Sequence, residues 1–399
     1  MGVAVVGGKL QGVEATYLAH KAGWEVILID KDSKVPAAGL CDIFYQLDIA
    51  AETSGLSSVI KTVDLVIPAL EDTVALERLR KSTAREDIPL AYDAAAYAVS
   101  SSKKKSNALF AELGIQMPQS WPECNFPLVV KPSASSGSKG VRKIRNMEGL
   151  TTFLQKAGPK LDDWVIQEFL EGPAYSLEVI GFNDNYVVFQ PTEIEVDSHY
   201  DSKRVFAPAK LSQIADKQFR EISIKIAKAL NLTGIMDIEV ILHNGTLKVL
   251  EIDARLPSQT PTVVNKSTGV NMLTFLYDVF VRHSVPVVSG IDCEKGVVYE
   301  HIKVSQGVLE VAGEHIMSEA GPLRYYENFF GADEALTNFA PGRSLWVATL
   351  IITGNSREEA WARRCEVIKD IRDYFGLSVY HDSAPAKSVP GAVSLESFL

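Results

Sequence analysis

The chain has 399 residues, 46% of them hydrophobic and 23% charged, the proportions of a soluble globular protein with room for two or three domains. Lys and Arg number 40 against 50 Asp and Glu, and the net charge of −10 argues against general affinity for nucleic acid or an anionic membrane. Cys41, Cys124, Cys293 and Cys365 are scattered without a C-x-x-C pair, the pattern of reduced thiols in a cytoplasmic protein.

In chain order, residues 3–6 (VAVV) run into Gly7-Gly8 and read as a buried parallel strand. A helix through residues 14–22 follows, stopped by Gly23, then a strand over 25–30 (EVILID), a helical stretch near 56–62 and a strand over 64–68. Alternating β and α units predict a doubly wound, Rossmann-like parallel sheet over residues 1–98. Residues 95–114 read as one helix, ended by Gly114 with Pro118 beyond. Strands over 127–131 (PLVVK) and 164–170 (WVIQEFL) flank a small-residue loop and a helix over 147–157. Residues 176–181 and 186–189 alternate as antiparallel strands do, and 218–230 form an amphipathic helix. Residues 236–242 and 246–253 read as a hairpin across His243-Asn244-Gly245. Strands near 297–304 and 344–353 precede a helix over 356–374, and residues 381–399, small, polar and Pro-containing, read as a tail.

The first turn does not complete a dinucleotide motif. Gly7 and Gly12 occupy the outer positions of G-x-G-x-x-G, but Lys9 fills the middle one, where a side chain obstructs a pyrophosphate. A Walker A sequence, G-x-S-x-G and H-E-x-x-H are all absent.

Four features carry chemistry. Lys131-Pro132-Ser133-Ala134-Ser135-Ser136-Gly137-Ser138-Lys139-Gly140 follows an apolar strand, so its backbone N–H groups can close around an anion beside the fixed charge of Lys131. Asp237 and Glu239, and Glu251 and Asp253, lie two apart on facing strands and can present carboxylates to one point. Such acids repel unless cations neutralise them, and Mg²⁺ is the natural hard cation, with Arg255 placed to clamp a phosphate. Ser102-Lys103-Lys104-Lys105 opens a helix, and Gln167-Glu168-Phe169-Leu170-Glu171-Gly172 offers backbone groups to a flat heterocycle. Each feature has an ordinary alternative (flexible loop, solvated strand face, solvated helix). In this order they describe a nucleotide–Mg²⁺ site built from two lobes.

This pattern resembles the ATP-grasp carboxylate–amine ligases over about residues 1–380. The stretches KLQG, GIMDIEVI and EIDARLPSQTPTVV look like the branch of that family in pyrrolysine biosynthesis. The resemblance implies an α/β ATP-grasp fold: the Rossmann-like sheet, a lid over 99–176, and an antiparallel-sheet core over 177–380. It implies ATP and Mg²⁺, two ions, as cofactors. Lys103 and Lys131 match the lysines on the ATP phosphates, and Ser133, Ser135, Ser136, Gly137 and Ser138 the loop over them. Gln167, Glu168, Phe169 and Leu170 match the strand beside adenine. Glu239 and Glu251 match magnesium ligands, with Asp237 and Asp253 beside them, and Asp253 stands where relatives usually have Asn. Ala174 stands where related ligases often have a ribose-binding Glu. Lys131, Arg255 and Glu178 are expected at the reacting atoms.

The implied substrates are L-lysine and 3-methyl-D-ornithine, or D-ornithine, and acidic groups should hold their ammonium ends. Glu71, Glu178 and Asp237 are candidates, with Lys9, Leu10 and Gln11 in the first turn, Ser258, Gln259 and Thr260 after the metal strand, and Tyr200 and Asp201 on a covering loop. His301 reads as structural. A homodimer is left open. The alternatives are another dipeptide ligase, a purine-pathway carboxylase, or a nucleotide-binding regulatory module without turnover.

Overall fold

The structure, a computed structural model, describes residues 1–51, 55–135, 137–286 and 294–385. Ser136, Cys293 and residues 386–399 of the expected tail lie outside the described residues.

The N-terminal unit contains β1 (Gly2–Val6), α1 (Leu10–Lys21), β2 (Glu25–Asp30), β3 (Ile43–Gln46), α2 (Leu56–Ile60), β4 (Leu65–Pro68) and α3 (Thr73–Glu86). Its strands are parallel in the order β3-β2-β1-β4. Val3 to Val6 are buried from both faces, as a parallel sheet covered by helices requires. Gly12 serves packing: a Cβ there would lie 2.1 Å from the Gly7 carbonyl oxygen.

The single helix expected over 95–114 is two, α4 (Ala94–Ser100) and α5 (Lys103–Glu112). Ser102 breaks it by capping α5, its side chain accepting from Lys105 N–H, a role serine fills better than a mid-helix one. The lid sheet is antiparallel, β6-β5-β7, built from β5 (Leu128–Pro132), β6 (Arg142–Ile144) and β7 (Trp164–Glu168), with α6 (Met147–Ala157) between the last two.

The core follows with β8 (Ala174–Phe182), β9 (Asn185–Val188), β10 (Thr192–Val196), β11 (Ser202–Ala207), α7 (Gln213–Ala229), β12 (Gly234–His243), β13 (Thr246–Asp253), α8 (Thr260–Thr268) and α9 (Met272–Phe280). Beyond these lie β14 (Gly296–Ser305), β15 (Val308–Val311), the one-turn α10 (His315–Ser318), β16 (Arg324–Phe329), β17 (Ala332–Thr337), β18 (Leu345–Gly354), α11 (Arg357–Phe375) and β19 (Val379–Asp382). The main path of the core sheet is β13-β12-β8-β10-β11-β14-β18-β17-β16.

The last strand corrects the expected tail boundary, since β19 runs through His381 and Asp382. Asp382 is held there by Lys203 and Arg204, and Lys203 also donates to the Ser383 carbonyl. Cys41, Cys124 and Cys365 are free thiols. Among the described residues no helix is long and apolar enough to cross a membrane.

Candidate functional site

A cleft of about 1770 Å³ lies between lid and core, and a second cavity of about 330 Å³ adjoins it. Lys103, Ser135, Gly137, Ser138, Tyr200, Glu239 and Glu251 wall both.

The lid contributes the cationic side of the cleft. Lys131 on β5 is 7% exposed, and burial pushes its ammonium below the usual lysine range. Lys103, the first residue of α5, pairs with Glu251 at 2.9 Å and donates to the Ser135 carbonyl at 2.6 Å. Its backbone N–H donates to Ser133 O at 2.9 Å, which ties the helix start to the small-residue loop. Gly137 (φ +58°) and Ser138 (φ +53°) take the left-handed backbone of a tight anion loop. Gln167, Glu168, Phe169 and Leu170 line the far wall with Ala174. The Glu168 carboxylate is occupied by Lys248 and Gln119 N–H, and Lys143 sits 3.8 Å above the Phe169 ring.

The opposite wall is acidic because of strand register. β12 pairs with β13 on one side and β8 on the other, so Glu178, Asp237 and Asp253 form one cross-strand row. Ser176, Glu239 and Glu251 form the next. Burial, then the Glu251 charge, pushes Glu239 up to about 8. Burial works against Glu251 too, yet Lys103 and Lys131 outweigh it and hold this carboxyl below its ordinary range. Burial pushes Asp253 up to about 6 and Asp237 well up, the latter also facing Asp253. Oδ1 of Asp237 and Oδ1 of Asp253 are buried without a hydrogen-bond partner. Hard carboxylate oxygens that lack partners and resist joint ionisation suit a divalent cation, and Mg²⁺ fits this donor set.

The smaller cavity gathers most of the residues expected at the substrate. Arg255 pairs with Asp253 and, at 2.8 Å, with Glu71 from the carboxyl edge of the N-terminal sheet. The Gln11 amide faces the same Glu71 and Arg255. Gln11 lines neither cavity, and nor does Glu178, expected at the reacting atoms: the latter is fully buried beside its strand partner Asp237, and desolvation pushes it up to about 7. Ser258 and Gln259 both donate to Glu314, at 2.9 and 2.7 Å, and Thr260 is buried beside them. Tyr200 and Asp201 also line this cavity, but neither stands free over it. The Tyr200 carbonyl accepts from Ser138 Oγ at 2.6 Å, and Asp201 is buried and bonded to His315 Nδ1 at 2.6 Å. Lys9 and Leu10 line neither cavity; Lys9 sits at the exposed start of α1 and Leu10 packs on the core. His301 lines neither cavity; it is buried, bonded to Thr349 Oγ1 at 2.9 Å, and pushed by desolvation down to about 3.

The sequence reading missed Glu314, Ser202 and Ser176. Ser176 was accessible to it, since it lies two residues before Glu178 on the same strand face. Glu314 carries no motif, and only the fold brings it to the turn at Ser258.

Residues 100–259 match the ATP-grasp domain family and residues 3–91 the PylC-like, N-terminal domain family. A 3-methyl-D-ornithine–L-lysine ligase of Methanosarcina barkeri is 35% identical over 379 residues, covering 94% of this chain and 98% of that protein. The ligase of the same name from Methanosarcina mazei is 35% identical over 378 residues, covering 94% and 97%. Among solved structures, an L-amino acid ligase from Bacillus licheniformis shares the fold with a TM-score of 0.66 at 16% identity, covering 92% of this chain and 97% of that one.

Proposed function

The chain belongs to the ATP-grasp ligases that carry a PylC-like N-terminal domain, and we propose that it joins 3-methyl-D-ornithine to the ε-amine of L-lysine in pyrrolysine biosynthesis. It is an ATP-dependent carboxylate–amine ligase. The γ-phosphoryl of ATP passes to the carboxylate of 3-methyl-D-ornithine, giving an acyl phosphate and ADP. The lysine ε-amine attacks the acyl carbon, and phosphate leaves. Phosphorylation is needed because a carboxylate is a poor electrophile.

Lys103 and Lys131 hold the phosphate oxygens, and Arg255 meets the charge that develops between nucleotide and substrate carboxylate. Asp237, Glu239, Glu251 and Asp253 would hold the metal, in our reading two ions. Bound Mg²⁺ neutralises phosphate charge and orients the transfer. The loop over residues 133–140 covers the phosphates and excludes water that would hydrolyse the acyl phosphate. Glu178, raised to about 7 by its burial, is paired with the cavity-lining Asp237, and in our reading it receives by way of Asp237 the proton that the attacking ammonium must lose. Glu71 and the neighbouring acids favour cationic diamino acids.

The observation that carries this reading is the pair of in-register acid rows facing Lys103 and Lys131. The test incubates the protein with ATP, Mg²⁺, L-lysine and 3-methyl-D-ornithine, with D-ornithine in parallel. We expect lysine-dependent ADP release and a product weighing the two amino acids less one water. Failure to form a condensed product would sink the proposed substrates.

A further inference from the structure

Helix α8 begins where the turn at Ser258 ends, and it is capped from outside the core. Its N-cap residue, Gln259, has φ +72° and makes no side-chain capping hydrogen bond. That side chain faces the cavity instead: Nε2 donates to Glu314 at 2.7 Å, and Oε1 accepts from Ser202 Oγ at 3.0 Å. A helix leaves its first N–H groups without internal partners. Here Thr260 N–H turns back to Ser258 O at 2.9 Å, Pro261 has none, and Val263 N–H starts the helical ladder on Gln259 O at 3.1 Å. The remaining group, Thr262 N–H, donates to Glu14 Oε1 at 2.6 Å. Glu14 lies on α1 of the N-terminal unit, is 2% exposed, and lines neither cavity.

We propose that Glu14 is a positioning residue: by capping α8 from the N-terminal unit, it fixes the turn of Ser258, Gln259 and Thr260 and frees the Gln259 side chain for the cavity. The proposal rests on the reading that this cavity receives the amino acids. A positive-φ residue such as Gln259 persists only where its surroundings hold it, and Glu14 is one of those holds.

Three full-length variants separate the effect of the cap from that of burial. Glu14→Gln keeps an oxygen acceptor of the same reach, Glu14→Asp keeps the carboxyl group but falls one methylene short, and Glu14→Leu fills the space without an acceptor. In the Asp and Leu variants we expect the KM for the amino acids to rise about tenfold or more, the cost of leaving a buried N–H without its partner. The Gln variant should stay within about threefold of the parent, and the KM for ATP should move less than about twofold in all three. Backbone hydrogen–deuterium exchange over residues 258–264, without substrates, should quicken in Asp and Leu but not in Gln, with residues 237–253 unchanged. Exchange needs no turnover, so an inactive parent protein would overturn the proposed substrates while exchange still judges Glu14. If the Leu variant does not fold, the order of Asp and Gln decides. Unchanged exchange in the Asp variant, or a Gln variant as impaired as Asp, overturns the proposal.

Discussion

Glu239 faces Glu251 across the hairpin, and the two carboxylates do not ionise alike. From about pH 6.5 the folded chain still holds protons on Glu14 and Glu178, released through about 7, and on Glu239, released through about 8, mainly because burial disfavours their charge. An unfolded chain has released those protons already. The folded state therefore binds more protons, and its stability falls as pH rises through this window. His301, held near 3 by desolvation, acts the other way only below about 6.5, where an unfolded imidazole takes up a proton. The melting temperature of the Mg²⁺-free protein should thus fall from pH 6.5 to 8. Added Mg²⁺ should raise it most at pH 8, because a metal binds deprotonated carboxylates. A flat profile would contradict the paired-acid site. Glu251, already ionised beside Lys103, is the carboxylate most ready for a cation. Glu251→Gln should lower kcat by roughly 10²–10³, the usual loss of one preorganised electrostatic contact. Steady-state ADP release checks it, and intact turnover would exclude Glu251 as a metal ligand.

At the scale of elements, α1 is set against the sheet by Gly12, which touches the Gly7 carbonyl with no room for a side chain. Gly12→Ala must push helix from strand and should cost about 1–3 kcal/mol, read from the denaturant midpoint. An unchanged midpoint would show that α1 can shift freely. Sequence alone marked Gly12 as special, yet only as half of an incomplete nucleotide motif. Elements with a strong period were legible: β1, β2 and β4 as apolar runs, and the β12–β13 hairpin through alternation and its Asn244-Gly245 turn. Elements that lacked one were missed. β3 is mostly exposed, and α3 is a polar helix with few buried residues. β10 lines the cleft with partly exposed Glu193 and Glu195, so its pattern is blurred by function. The site divides in the same way. Acids two apart on a strand announce a shared face, whereas Glu14 on Thr262 and Glu314 on Ser258 are long-range pairings that no local pattern encodes.

Across the whole molecule, the smaller cavity takes walls from all three units: Glu71 from the N-terminal sheet, Ser135 and Ser138 from the lid, Asp237 and Arg255 from the core. The larger cleft shares Lys103, Ser138, Tyr200, Glu239 and Glu251 with it. The lid loop already reaches the core through Ser138 Oγ on the Tyr200 carbonyl. A nucleotide that draws the loop and Lys103 onto its phosphates therefore orders walls that the amino acids also need. Two ligands that depend on the same ordered walls must favour each other's binding, and by linkage the gain is equal in both directions. A non-hydrolysable ATP analogue with Mg²⁺ should tighten 3-methyl-D-ornithine about fivefold or more, within the usual range of such coupling. The diamino acid should tighten the analogue by the same factor. Calorimetric titration in both orders measures the two factors. Equal affinities with and without nucleotide would mean that the shared walls are already fixed, and the loop would then act only to exclude water.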